Sequence, residues 1–170
     1  MSENLYVSTL DPRPTLPSAA LGLAAFGVAA AVAAVTGNLA ALSAADQYGA
    51  LVQPAWAPPP WLFGPVWTVL YVSIAVAGWL VWRRAGWSGA RTALSVFAVQ
   101  LVLNALWTPL FFGAGLFGVA FVEIVALWLS IVATIVLFAR HSRPAAALLL
   151  PYLAWVTFAS ALNLAIWVLN

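Results

Sequence analysis

Residues 116–139 read LFGVAFVEIVALWLSIVATIVLFA, a run with one charged residue, Glu123, and no proline. About 20 mostly apolar residues in a helix cross a hydrocarbon layer roughly 30 Å thick, and this run is long enough. Its apolar residues lie on every side, whereas a transmembrane barrel strand would alternate polar and apolar positions. A helix, moreover, satisfies every backbone group internally. Working outward, four further runs of the same kind stand between charged or Pro/Gly-rich breaks, at about 18–42, 61–82, 92–112 and 145–169. They leave too little chain for a second domain. The sequence therefore predicts an all-α integral membrane protein, a single five-transmembrane-helix bundle over 18–170. Before it stands a Pro-rich, flexible cytoplasmic segment, 1–17. The connection 43–60 is long for a compact bundle, and such loops tend to be lids or binding loops.

Composition agrees. Of the 170 residues, 65% are hydrophobic and 6% charged, against about 45–50% and about 25% in soluble domains. With no Cys and a single His, His141, disulfides, thiol nucleophiles and Cys/His zinc sites are excluded, and no metal site is expected. Serine hydrolysis lacks a buried His partner, and no Gly-rich phosphate loop occurs. Haem iron would want His, Cys or Met as axial ligand, and no span supplies one, although Tyr71 or Tyr152 could in principle ligate iron. The six basic residues are all Arg, too few for a nucleic-acid footprint. With five spans, Arg13, Arg83, Arg84, Arg91, Arg140 and Arg143 fall on one side. The positive-inside rule then puts the N-terminus in the cytoplasm and the C-terminus outside a bacterial cell membrane. The first run is too long for a signal-peptide core and is read as a retained helix. Its Ala25, Ala29, Ala33 and Gly37 form a small-residue stripe that suits close helix packing, within the chain or in a homodimer.

Polar residues inside spans are costly and therefore informative. Gln100 and Asn104 share one face of the third span, and Trp107, Thr108 and Phe111 continue it. In the fifth span Tyr152, Trp155, Ala159 and Asn163 follow the same spacing, and in the second span Trp67 and Tyr71 lie a turn apart. One at a time, such residues serve as packing glue or as an interfacial aromatic belt. As a set beneath the 43–60 segment, they point to an aromatic, largely uncharged pocket suited to a large planar apolar ligand. Glu123 either faces another helix or reaches the outer interface; proton-coupled transport and a structural role are both open. His141 is expected to be an incidental loop residue, and Asp46 to cap or anchor the long connection.

The stretch Pro54-Ala55-Trp56-Ala57-Pro58-Pro59-Pro60-Trp61-Leu62-Phe63-Gly64-Pro65-Val66-Trp67-Thr68-Val69-Leu70-Tyr71 resembles the PxWxPPxWxFxxxWxxLY signature of the translocator protein family. Its bacterial members are called tryptophan-rich sensory proteins. Two further blocks agree: Gln100 through Asn104, Trp107 and Pro109 to Gly113, and Pro151, Tyr152 and Trp155 through Ala159, Asn163 and Trp167. The resemblance covers about residues 20–170.

It implies a five-helix bundle, commonly a homodimer, that binds porphyrins of the protoporphyrin IX type as ligand rather than as resident cofactor. Tyr48, Trp67, Asn104, Trp107 and Trp155 match the family's pocket. With Trp56, Tyr71, Gln100, Tyr152, Ala159 and Asn163 they make up the expected ligand-binding set. The expected function is a membrane receptor or carrier for tetrapyrroles. Trp67 and Trp155 match two tryptophans associated with light-dependent porphyrin breakdown, so an enzyme-like degradation is one alternative; a ligand-regulated scaffold without transport is another. Two departures stand out. The end of the fifth span lacks the Tyr and basic residue of the sterol-recognition pattern, which counts against sterol binding, and the third span lacks the small-residue stripe of some bacterial dimers.

Overall fold

A computed structural model describes residues 16–40 and 44–170, with side chains from Ala20 onward except at 34, 36–40 and 44–46. The expectations for segment 1–15, for Arg13 and for the Asp46 side chain lie outside the described residues. Seven α-helices follow one another there: α1 (Leu16–Ala40), α2 (Ala44–Ala50), α3 (Phe63–Gly89), α4 (Arg91–Thr108), α5 (Phe117–His141), α6 (Arg143–Leu148) and α7 (Leu150–Leu169). A 3-10 turn, Pro60–Leu62, leads into α3, and a π-helical turn, Pro109–Gly113, prolongs α4. Among the described residues there is no strand. Four segments, Pro60–Gly89, Arg91–Gly113, Phe117–His141 and Arg143–Leu169, are long and apolar enough to cross a membrane, and Ala20–Ala33 of α1 is a shorter apolar stretch.

Several boundaries differ from the sequence reading for local reasons. The 43–60 connection is partly helical, since Ala44-Ala45 opens α2 with the best helix-forming residue. The last run is divided at Leu149, because Pro151 has no N–H to return to the preceding turn. Ser142 starts α6 by accepting a hydrogen bond from the Ala145 N–H at 3.3 Å, with Pro144 in the first turn. α3 runs on past Arg83 and Arg84 to Gly89 and is interrupted at Gly86, whose φ of 63° is a left-handed value that glycine adopts freely.

α4 packs mainly on α5, α1 on α3, and α5 on α7. The tight contact between α1 and α3 is not made at Ala25 or Ala29 of the predicted stripe, which are exposed; Ala33 is buried, and the expectation for Gly37 lies outside the described side chains. It is made at Gly22, beneath Trp82, and at Gly78, where a Cβ would lie 2.8 Å from Phe26 and 2.9 Å from Phe97. Phe97 in turn stacks on Phe138 with ring centroids 5.5 Å apart. Ile74, Ala77 and Val81 fill the space between. At this end of the bundle Arg84 Nη1 donates to the His141 carbonyl at 3.3 Å, and the Arg83 guanidinium sits 4.6 Å from the Trp79 ring centroid. His141 ends α5 rather than lying in a loop.

Candidate functional site

The half of the bundle away from the described arginines is hollow. A cavity of about 570 Å³ lies among α1, α3, α4, α5 and α7. Its aromatic walls are Tyr48, Phe63, Trp67, Tyr71, Trp107, Phe112 and Trp155, and among the described residues no charged side chain lines it. Gly27, Ala30 and Ala31 of α1 leave room on one side, while Ile124 and Leu127 of α5 close another. Trp67 and Tyr71, a turn apart on α3, have centroids 5.3 Å apart, and the Trp67 ring meets Tyr152 edge-on at 6.2 Å.

Behind the aromatic wall runs a directed chain of hydrogen bonds. Tyr71 Oη donates to Asn104 Oδ1 at 2.7 Å, Asn104 Nδ2 donates to Tyr152 Oη at 2.9 Å, and Tyr152 Oη donates to Gln100 Oε1 at 3.0 Å. One buried amide thus ties α3, α4 and α7 together, and serial bonds of this kind polarise one another. A second tie lies nearer the helix ends: Trp107 Nε1 donates to Asn163 Oδ1, and Asn163 Nδ2 to the Phe117 carbonyl, both at 3.0 Å. These ties hold the bulky rings apart, so the space between them stays open.

The 44–60 segment forms the roof. Tyr48 is buried, its ring meets Phe63 edge-on at 5.5 Å, and its hydroxyl donates to the Pro58 carbonyl at 3.2 Å. Burial pushes the Tyr48 phenol above its ordinary pKa of 10.0, so it stays a neutral donor. Gln53 Nε2 donates to the Tyr48 carbonyl. At the far end, the side chain of Asn170 exchanges two hydrogen bonds with the Val52 backbone, at 3.0 and 3.1 Å. The terminal residue of the chain therefore pins the roof to α7.

The sequence-predicted residues separate into three groups. Tyr48, Trp67, Tyr71, Asn104, Trp107, Trp155 and Ala159 reach the cavity. Gln100, Tyr152 and Asn163 are buried behind it, Tyr152 and Asn163 as partners of the lining residues Asn104 and Trp107 and Gln100 as the partner of Tyr152. Trp56 is half-exposed and lies against Phe158 at 5.7 Å, outside the cavity. The small α1 residues were missed, as nothing in an Ala/Gly-rich helix marks one face for a ligand. Glu123 is partly buried, with both carboxyl oxygens enclosed; these oxygens, Gln100 Nε2 and Trp155 Nε1 have no hydrogen-bond partner among the described residues. Chemically, the cavity can stack on flat apolar molecules and offer them an amide and hydroxyls. It gathers no nucleophile–base pair.

Comparison with known proteins agrees with this architecture. The model of the TspO/MBR family matches residues 24–168. The chain is 47% identical to the tryptophan-rich protein TspO of Chlorobaculum tepidum over 125 residues, covering 72% of this chain and 78% of that one. It is 41% identical to the translocator protein of Ovis aries over 122 residues, 71% and 72% of the two chains. With the tryptophan-rich sensory protein of Cereibacter sphaeroides it shares 38% identity over 138 residues, 81% and 84%. The chain is an integral membrane protein and belongs to the TspO/MBR family.

Proposed function

We propose that the chain is a five-span membrane receptor or carrier that binds porphyrins of the protoporphyrin IX type, metal-free, in the aromatic cavity. The observation that carries this reading is the cavity itself: about 570 Å³ walled by seven aromatic side chains, with Asn104 as a fixed amide and no charged side chain among the described residues. Such a space favours a large flat apolar ring system over a charged metabolite. In this reading α1 also crosses the membrane, and residues 18–170 act as one domain. The described arginines mark the cytoplasmic side of the cell membrane, so the roof and the C-terminus lie outside. A homodimer is compatible with the exposed Ala25 and Ala29 face of α1.

A second reading is light-dependent oxidative breakdown of the bound porphyrin by dioxygen. It is favoured by Trp67 and Trp155 both bordering the cavity, where either ring would touch the ligand. A ligand-regulated scaffold without transport is a third. The separating experiment titrates purified, detergent-solubilised protein with protoporphyrin IX, in the dark and then in light, for wild type and Trp67→Phe. Saturable quenching of tryptophan fluorescence without pigment loss is the expected result for a receptor or carrier, and flux across proteoliposomes then separates carrier from scaffold. Pigment loss in lit wild type alone would move the function to degradation. No saturable quenching would refute porphyrin binding.

A further inference from the structure

The Trp155 side chain borders the cavity and also a second concavity of about 630 Å³ on the outside of the bundle, between α3 and α7. Pro65, Val69, Leu70, Pro151, Ala154 and Phe158 line this groove. Trp155 is the one lining residue that the two spaces share. Both flanking helices belong to segments long and apolar enough to cross a membrane, so the groove faces hydrocarbon. In that layer there is no water to fill it. An empty concavity would forfeit the dispersion contacts of its walls. What surrounds it, and fits its apolar lining, is the acyl chain of a lipid.

The partition between the two spaces is loosely held. The Trp155 indole N–H is buried without an acceptor among the described residues, so no hydrogen bond from them fixes the ring. It is positioned by an edge contact with Phe63 at 5.7 Å and a tilted contact with Phe158 at 5.5 Å. Phe158 is itself a groove residue. Whatever fills the groove therefore touches a side chain that is also cavity wall.

We propose that the α3–α7 groove is a binding site for a phospholipid acyl chain, coupled through Trp155 to the ligand cavity. The acyl-chain site stands on the groove alone; the coupling rests on the porphyrin reading of the cavity. Coupling between two binding equilibria is reciprocal: if the lipid changes porphyrin affinity, porphyrin changes lipid occupancy by the same factor.

The test uses the full chain in nanodiscs of phosphatidylcholine doped with a phosphatidylcholine carrying a diazirine in its acyl chain. Wild type, Ala154→Trp, the smaller Ala154→Leu and a control at another lipid-facing position, Val168→Trp, are compared after their melting temperatures are checked. Ala154 is exposed on the groove wall and Val168 is 77% exposed, so neither change enters the core. Crosslinks are expected to concentrate in 65–70 and 151–158, to fall in both Ala154 variants, and to persist in Val168→Trp. Protoporphyrin IX affinity is expected to change about five-fold or more in Ala154→Trp but not in the control, and saturating protoporphyrin IX to change wild-type crosslinking by a matching factor. Crosslinks spread evenly over the lipid-facing helices, or unaffected at Ala154, would overturn the site. Concentrated crosslinks with unaltered porphyrin affinity would overturn the coupling. Should wild type bind no protoporphyrin IX, the cavity reading and the coupling both fall, while the crosslink map still decides the groove.

Discussion

The two halves of this bundle are built from the same helices and end in opposite results. Near the arginines, glycine meets aromatic: Gly22 lies under Trp82, and Gly78 under Phe26 and Phe97, so α1 and α3 close without a void. In the other half, a Cβ on Gly27 would meet nothing within 4 Å, and the space between this face of α1 and Trp67, Tyr71, Trp107 and Trp155 is a cavity. Polar groups differ as well. The closed half is held by apolar contact, whereas the open half depends on Asn104 and Asn163 bonding side chains from neighbouring helices. Hydropathy is therefore a poor guide to which end of a membrane bundle is hollow. Whether a ring lies against the small residues, as at Gly22 and Gly78 but not at Gly27, decides it.

That contrast can be broken most severely in the closed half. Gly78→Leu drives a side chain into Phe26 and Phe97, and overpacking at such a site costs about 3 kcal/mol. Thermal unfolding in detergent should show a large fall or no folded protein; unchanged melting would mean that this half is not close-packed. Next comes Asn104→Leu, which leaves the buried Tyr71 and Tyr152 hydroxyls without their shared amide. A loss of about 2 kcal/mol is expected in the same assay, with weaker porphyrin binding. Asn163→Leu frees the Trp107 indole N–H and should cost about 1 kcal/mol, shifting Trp107 fluorescence more than it shifts melting. Smallest for stability is Ala159→Leu, which adds volume where there is space. Melting is expected to stay close to wild type.

The all-helical architecture is legible in the sequence because an apolar run of 20 residues has few other solutions, and the Gln100/Asn104 spacing correctly assigns both to one face. Depth on that face is not legible. Gln100 lies behind Tyr152 while Asn104 reaches the cavity, a distinction set by where the Tyr152 side chain of α7 reaches α4 rather than by the residues' own chemistry. The partial helicity of the roof was hidden by the proline cluster that follows Ala44–Ala50. Trp56 sits within the motif that marks the family, yet packs on Phe158, outside the cavity, since a tryptophan in a motif says nothing of which way it faces.

In the proposed function, the half of the bundle away from the arginines takes a ligand because its rings are propped apart. The most direct measurement is a dark equilibrium titration of wild type and Ala159→Leu with protoporphyrin IX in phosphatidylcholine nanodiscs. Wild type should saturate, and the variant, equally stable, should bind about ten-fold or more weakly, a difference of about 1.4 kcal/mol. Equal affinities in two equally stable proteins would place the porphyrin outside the cavity and contradict the account.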